Sequence, residues 1–261
     1  MSMENRTSFG LHASSYRRYR PRYPDELFAF LARCCRKHER ALDCATGNGQ
    51  AAVSVVAHFE RVWAFDTSAR QIEEAMPHDR VEYFVADAES LPEGIGPFDL
   101  VTIAQGAHWF DLPRFYATLE PLLETGAVIA IWGYSHCRVT PEIDLAMLTT
   151  LLLPIAPYWA EGNRVITEKY RTIEFPYEEI ETPDLTMQEQ WDRDALFGYV
   201  RTWSAYKRYV AEHGDEPLLR FEKALDRDRL WPVGARLDVE FDLHLRVGRY
   251  NRRPSTSPAE D

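Results

Sequence analysis

The sequence predicts an α/β fold built on a doubly wound, mostly parallel sheet. In the first half of the chain, apolar strand patterns alternate with helical patterns about every 20 to 30 residues, as in consecutive βαβ units. The first strand runs into a glycine-containing loop and then directly into a helix. Near the carboxyl end, residues 237–247 alternate apolar and polar side chains, which indicates an antiparallel strand.

Local signals support the individual elements. Strands are predicted after position 40 and at 61–65, 81–85, 98–103 and 127–133, and helices at 25–36, 50–59, 68–76 and 112–123. Pro24 and Asp111 precede two of these helices, and Thr67-Ser68 stands at the start of a third; all are typical of helix starts. After position 133 the alternation is lost, and prolines and aromatic residues predict a cap insertion at about 135–203.

The domain organisation follows from the same patterns. We expect an amino-terminal arm over 1–24, one domain over 25–250 that contains the cap insertion, and a disordered tail over 251–261. The most apolar later run, 145–157, contains Pro154 and Pro157 and is too short to span a membrane. It is predicted to be a buried helix of the cap.

Composition narrows the classes of partner. A net charge of -11 disfavours general nucleic-acid binding, which normally needs a basic surface. Arg17, Arg18, Arg20 and Arg22 form a local basic strip, which could be a solvated arm or an anion contact. The four cysteines lack metal-type spacing and predict reduced thiols, and the amino terminus lacks an apolar signal segment, so a cytoplasmic location without membrane association is expected. A monomer and a homodimer both remain open.

The loop after the first strand is the strongest functional signal. Gly47 and Gly49 can provide positive φ or a close backbone approach, and together with Ala52 they also fit a dinucleotide fingerprint. Asp43, at the end of the strand, would repel a pyrophosphate but could attract a cation. S-adenosylmethionine carries an ammonium and a sulfonium and no phosphate, so charge favours the methyl donor over a dinucleotide.

Acids also follow the next two strands. Asp66 is placed to accept hydrogen bonds from ribose hydroxyls, and Asp87 could accept a hydrogen bond from the exocyclic amino group of adenine. Either acid could instead serve as a helix N-cap or a turn residue. Three successive strands that each end in an acid nevertheless favour a nucleoside site at the carboxyl edge of the sheet.

These residues resemble the class I S-adenosylmethionine-dependent methyltransferases, of the methyltransferase type 11-like small-molecule group that includes the trans-aconitate and ubiquinone-biosynthesis methyltransferases. The resemblance covers residues 9–134 and rests on Asp43-x-Ala45-x-Gly47-x-Gly49, on Asp66 and Asp87, and on the arm at 20–24. Ala45 stands where the family usually has its first glycine. The resemblance implies a seven-stranded Rossmann-like sheet with an antiparallel closing strand, an arm and a helical cap.

The resemblance also implies the ligands. S-adenosylmethionine would be the methyl donor, S-adenosylhomocysteine the product and a small molecule the acceptor, with no metal required. O-methylation of a carboxylate or hydroxyl is preferred through the likeness to the trans-aconitate group. The cofactor-binding set is predicted to comprise Tyr23, Asp43, Ala45, Gly47, Gly49, Asp66, Thr67, Asp87, Ala88 and Gln105.

His108, after the fourth strand, is predicted to contact the reacting centre as a general base or a polar positioner, with Trp109 packed on the adenosine or the acceptor. Helix capping by His108 beside a core tryptophan is the alternative. Tyr16, Arg20 and Tyr23 are predicted to form a lid over the donor and the acceptor, with simple packing of the arm as the alternative. Tyr16 and Arg20 are also predicted, together with His108, to be catalytic residues. Acceptor contacts are predicted at His108, Trp109, His136, Tyr199 and Trp203; the last two share a helix face with Tyr206 and could belong to the core.

Two other functions fit the sequence. A nicotinamide-dependent oxidoreductase would need the loop to accept phosphates beside Asp43. A noncatalytic module that binds the donor, or nothing, is also compatible, because cofactor motifs alone do not prove chemistry.

Overall fold

A computed structural model describes residues 19–251. Residues 1–18 and 252–261 lie outside this part of the chain. The predicted lid residue Tyr16, most of the predicted arm and nearly all of the tail expected to be disordered therefore fall outside the described residues.

The described chain alternates strands and helices up to Tyr134. After Tyr134 it is mainly helical, with two strands in the middle of this region and one strand at its end. In chain order the elements are α1 (Asp25–Cys34), β1 (Arg40–Cys44), α2 (Gln50–Val55), β2 (Arg61–Asp66), α3 (Ala69–Glu73), β3 (Val81–Val85), β4 (Phe98–Ala104), α4 (Leu112–Leu119), β5 (Leu123–Tyr134), α5 (Pro141–Met147), α6 (Leu153–Ile155), α7 (Asn163–Thr167), β6 (Glu178–Ile180), β7 (Leu185–Trp191), α8 (Arg193–Arg201), α9 (Ser204–His213), α10 (Glu216–Arg227) and β8 (Leu237–Arg249). A π-helical turn, Leu148–Leu152, joins α5 to α6.

All eight strands form one sheet in the order β3-β2-β1-β4-β5-β8-β6, and β7 also pairs with β8. Strands β1 to β5 run parallel, whereas β8 is antiparallel to β5, β6 and β7. The strand order reverses between β1 and β4. In open α/β sheets the crevice at such a reversal, outside the carboxyl ends of the strands, is where ligands bind.

The predicted fold class is confirmed, with one strand more than expected. The predicted antiparallel closing strand is β8, and the structure shows that it pairs with β5. β8 also pairs with β6 and β7, so the region expected to be a cap contains two strands besides its helices. The helices α1 to α4 begin within one residue of their predicted starts and end earlier than predicted.

Two apolar layers enclose the sheet. One cluster includes Leu27, Val55 and Trp132 with side chains of α8 to α10, and the other includes Phe65, Phe115 and Ile131 on the opposite face. The run 145–157, expected to be buried, is amphipathic: Leu151 and Ile155 are buried, whereas Leu145 and Leu153 are about 60% exposed. In residues 19–251, no helix combines the length and apolar character needed to cross a membrane.

Candidate active site

The loop after β1 holds its shape through three residues with positive φ, Ala45 (53°), Gly47 (57°) and Gly49 (84°). At Gly49 the space is also closed, because a Cβ there would overlap the Tyr83 ring and hydroxyl. Ala45 adopts the left-handed region with a side chain, which costs about 1 kcal/mol relative to glycine. The Ala45 methyl group packs against Gly106, and a Cβ added at Gly106 would lie only 2.7 Å from Ala45 Cβ.

Asp43 lies beneath this loop and is fully buried. Its carboxylate accepts hydrogen bonds of 2.6 Å from the hydroxyls of Thr46 and Thr102, and so joins the loop to β4. Burial raises the pKa of Asp43 to about 6, and the two hydroxyls oppose that shift. Sequence reasoning expected this acid to face a cation directly or through water; the structure places it behind the wall of the cavity described next.

Asp66, at the end of β2, organises the same loop from the side. One carboxylate oxygen accepts the Gly47 N–H at 3.0 Å, and the other accepts the Ser68 N–H at 2.9 Å. Burial raises the pKa of Asp66, whereas these backbone hydrogen bonds lower it. Asp66 therefore links the glycine loop to the start of α3, and it also reaches the cavity.

A first cavity opens over the carboxyl ends of β1, β2 and β4. Its walls contain three acids, Asp66, Asp87 and Glu89, and none of the described residues that line it is a lysine or an arginine. Such a wall attracts a cation and disfavours a pyrophosphate. The complete lining is Tyr23, Ala45, Thr46, Gly47, Asn48, Gln50, Ala51, Phe65, Asp66, Thr67, Ser68, Gln71, Asp87, Ala88, Glu89, Ala104, Gln105, Gly106, Trp109 and Phe110.

A second cavity, of about 380 Å³, adjoins the first, and the two share Gln105 and Trp109 as lining residues. Gln105 follows β4 with φ at 56°, a sparsely populated conformation for a residue with a side chain. Its N–H donates to the Trp132 carbonyl at 2.8 Å and its amide Nε2 to the Tyr134 carbonyl at 3.1 Å. These two bonds to β5 fix Gln105 in the wall common to both cavities.

Aromatic rings dominate the walls of the second cavity. Trp159 and Trp203 both lie against His136, with ring centroids 5.6 and 5.0 Å away. The lining residues are Arg20, Gln105, His108, Trp109, Tyr134, Ser135, His136, Trp159, Ala160, Glu161, Asn163, Arg164, Ile166, Thr167, Tyr199, Thr202, Trp203 and Ser204. Flat apolar walls of this kind suit a planar or apolar small molecule.

Two histidines of the second cavity are held neutral. Burial lowers the pKa of both His108 and His136 to about 4, and the charge of Arg20 acts in the same direction on His136. His108 Nδ1 is buried without a hydrogen-bond partner among residues 19–251. Nε2 is therefore the ring nitrogen of His108 that can reach a ligand. Neutral imidazoles can accept a proton or a hydrogen bond at physiological pH.

The described end of the amino-terminal arm reaches both cavities. Tyr23 lines the first cavity, and Arg20 lines the second. Arg20 donates to the Tyr134 hydroxyl at 3.3 Å and lies 5.3 Å from the Tyr199 ring centroid. A hydrogen bond also fixes the backbone of the arm to α2, because Gln50 Nε2 donates to the Pro21 carbonyl.

The structure brings most of the predicted site residues together. Tyr23, Ala45, Gly47, Asp66, Thr67, Asp87, Ala88 and Gln105 line the first cavity, and Arg20, His108, Trp109, His136, Tyr199 and Trp203 line the second. Asp43 and Gly49 act on the loop instead of lining a cavity. Gln71, Tyr134 and Trp159 also line the cavities and were not predicted from the sequence. Tyr134 could have been found, because it stands at the carboxyl end of a strand pattern.

Among residues 19–251 no cluster of three or more histidine, cysteine, aspartate or glutamate side chains could hold a metal ion. Cys35, Cys44 and Cys137 are buried free thiols, and burial raises the pKa of each of them. Cys34 is partly buried, and burial raises its pKa as well. Thiolate chemistry at these residues is therefore disfavoured.

A doubly wound sheet whose switch point carries an acid-lined cavity beside an aromatic one can hold a cationic nucleoside next to a second, planar or apolar ligand. Residues 41–126 match the family model described as a methyltransferase domain. A Dictyostelium discoideum protein assigned as a methyltransferase is 31% identical over 248 residues, covering 91% of this chain and 92% of the relative. Demethylmenaquinone methyltransferase of Clavibacter sepedonicus is 30% identical over 183 residues, covering 67% and 72%.

A solved structure from Anaeromyxobacter dehalogenans, assigned as a type II methyltransferase, superposes with a TM-score of 0.82 at 38% identity and covers 90% of this chain and all of that one. The chain belongs to the class I S-adenosylmethionine-dependent methyltransferase family. Family membership confirms the predicted resemblance and sets aside the oxidoreductase.

Proposed function

We propose that this protein transfers a methyl group from S-adenosylmethionine to a small-molecule acceptor, with the donor in the first cavity and the acceptor in the second. One observation carries the proposal: a first cavity with acidic and no basic lining residues meets an aromatic cavity at Gln105 and Trp109. The donor's ammonium and sulfonium suit the acids, and the shared wall provides a place for transfer.

The residues of the first cavity fit the donor. Asp66 already accepts two backbone N–H groups, and its remaining lone pairs suit ribose hydroxyls. Asp87 suits the adenine amino group. Tyr23, Ala45, Gly47, Thr67, Ala88 and Gln105 supply the remaining contacts, while Asp43 and Gly49 support the loop from below.

When bound, the donor supplies an electrophilic methyl carbon for an in-line displacement. The protein then has to align two ligands and exclude water. Tyr23 lines the first cavity and Arg20 lines the second, which supports a lid role for this end of the arm. Gln105 and Trp109 form the boundary across which the two reacting atoms face each other.

The second cavity supports O-methylation of a hydroxyl or carboxylate. Neutral His108 can accept the proton of a hydroxyl through Nε2, or hold the acceptor by a hydrogen bond. Arg20 favours an acceptor with negative charge over a protonated amine. His136, Trp109, Tyr199 and Trp203 complete the walls around the acceptor.

The proposal is tested by incubating the purified protein with S-adenosylmethionine and a panel of phenols, carboxylic acids and amines, and measuring S-adenosylhomocysteine by mass spectrometry. Turnover with a hydroxyl or carboxylate acceptor, abolished by Asp66→Ala, is the expected result. Turnover confined to amines would contradict the O-methylation part. Donor binding without product over the whole panel would favour a noncatalytic module.

A further inference from the structure

Lys207 lies one helical turn beyond the wall of the second cavity. It is on α9, where Trp203 and Ser204 line the cavity, and the Lys207 N–H donates to the Trp203 carbonyl at 3.0 Å. Residues three and four apart share a helix face, so Lys207 extends the cavity-facing side of α9. The lysine side chain is long enough to bring its ammonium back toward the cavity.

Among the described residues, no carboxylate forms an ion pair with the ammonium of Lys207. The side chain is half-buried and makes no hydrogen bond or ion pair within residues 19–251. Burial lowers the pKa of Lys207, and the positive charge of Arg20 lowers it further. Lys207 is thus a second cation near Arg20, and it has no carboxylate partner among the described residues. Keeping such a cation partly buried costs free energy unless a ligand supplies an anion.

Lys207 lies near the part of the second cavity that Trp203 and Ser204 line, which is not the wall that the two cavities share. Trp203 and Ser204 line only the second cavity, whereas Gln105 and Trp109 line both. In the proposed placement of the two ligands, the methyl group is transferred where the cavities adjoin, beside Gln105 and Trp109. An anionic group held near Lys207 is therefore not the atom that is methylated.

The other charged residues that line the second cavity do not reverse this preference. Glu161 and Arg164 are both exposed, and Arg164 is paired with Glu168. Arg20 and Lys207 are less exposed and contribute more to the potential that a bound molecule meets, because interactions between partly buried charges are screened less than those between exposed ones.

From this arrangement we infer that the acceptor carries an ionised carboxylate or phosphate group that is not methylated, and that Lys207 binds this group together with Arg20. The aromatic walls hold a planar body between the anionic group and the methyl-accepting atom. Lys207 is a specificity-determining residue in this account, and the inference rests on the proposed placement of the acceptor in the second cavity.

The test uses matched phenols that differ only in charge. Binding of 4-hydroxybenzoate, 4-hydroxyphenyl phosphate and neutral 4-hydroxybenzamide is followed by calorimetry on the full chain saturated with S-adenosylhomocysteine. We expect the wild-type protein to bind at least one of the two anions about tenfold more tightly than the amide. Which anion binds more tightly distinguishes a carboxylate from a phosphate.

Lys207→Met keeps most of the aliphatic stem and removes the charge. It should reduce the preference for the anion severalfold, because Arg20 remains as the second cation, while leaving the dissociation constants of the amide and of S-adenosylhomocysteine unchanged. Lys223→Met, at an exposed lysine of α10, is the matched control and should behave as wild type.

An anion preference that is undiminished in Lys207→Met would overturn the inference. So would a wild-type protein that binds S-adenosylhomocysteine but shows no preference for either anion, or binds none of the three phenols. Failure to bind S-adenosylhomocysteine would count against the proposed function itself, so the two failures are distinguishable.

Discussion

Gly106, two residues after the end of β4, packs so closely against Ala45 in the loop after β1 that a side chain at position 106 would collide with the Ala45 methyl group. A Cβ at position 106 would lie 2.7 Å from the Ala45 methyl carbon. The alanine that replaces the usual glycine of the loop is therefore accommodated by the absence of a side chain on the neighbouring strand end. The two positions act as a pair that sets the distance between the β1 and β4 loops.

This pair predicts a non-additive double mutant. The φ of Gly106 is -116°, which alanine adopts readily, so Gly106→Ala should destabilise only through the contact with Ala45, by about 1–3 kcal/mol. Ala45→Gly removes the opposing methyl group, and the double variant should recover most of the loss. Denaturant unfolding measures all four proteins. Additive losses would show that the two positions do not interact.

Asp43 should give the protein a distinctive pH dependence. Its pKa of about 6 exceeds the ordinary 3.8, so the folded state binds this proton more tightly than the unfolded state. The contribution of Asp43 to stability is therefore greatest below the ordinary pKa and is lost as the pH rises through about 6. Asp43→Asn removes this titration.

The stability of Asp43→Asn relative to wild type should accordingly increase by about 2 kcal/mol between about pH 4.5 and 7.5. The pKa values of His108 and His136 are lowered, so they destabilise the fold as pH falls toward 4, but they do so equally in both proteins. Asp79→Asn, at an exposed carboxylate, is the control. Parallel pH profiles for wild type and Asp43→Asn would refute the raised pKa.

His108 should separate general-base catalysis from positioning. Because burial lowers its pKa to about 4, a catalytic His108 would leave kcat/KM level above about pH 5. If His108 removes a proton, His108→Gln and His108→Ala should both lower kcat by about 10²-fold or more. If it only positions the acceptor, glutamine should restore much of the activity that alanine loses.

These kinetics would be measured with the acceptor found in the panel, with His78→Gln at an exposed histidine as the control. Unchanged turnover and unchanged donor affinity in His108→Ala would eliminate any role for this residue in the site.

The central strands of the sheet were predictable because they are mostly buried. β2, β4 and β5 contain long apolar runs, and the acids and the glutamine at or just after the ends of β2, β3 and β4 mark the carboxyl edge. Parallel pairing places these strand ends side by side, so Asp66, Asp87 and Gln105 lie around one cavity.

Other features depend on tertiary contacts that no local pattern contains. β6 has only three residues and β7 is rich in polar residues, and both are strands because β8 supplies their hydrogen bonds. Whether Asp43 faced a ligand or the interior depended on its packing beneath the loop, against Thr46 and Thr102. Trp159 joins the second cavity only because the chain folds back onto α9 after α6.

The central claim is that the first cavity binds a methyl donor and not a dinucleotide. Calorimetric titration with S-adenosylmethionine, S-adenosylhomocysteine, NAD and NADP tests it most directly, on wild type and on Asp66→Ala. We expect saturable binding of the first two ligands only, and weaker binding in the variant, which loses the contacts to Gly47 and Ser68 as well as to the ribose. Binding of a nicotinamide dinucleotide alone, or of none of the four ligands, would contradict the account.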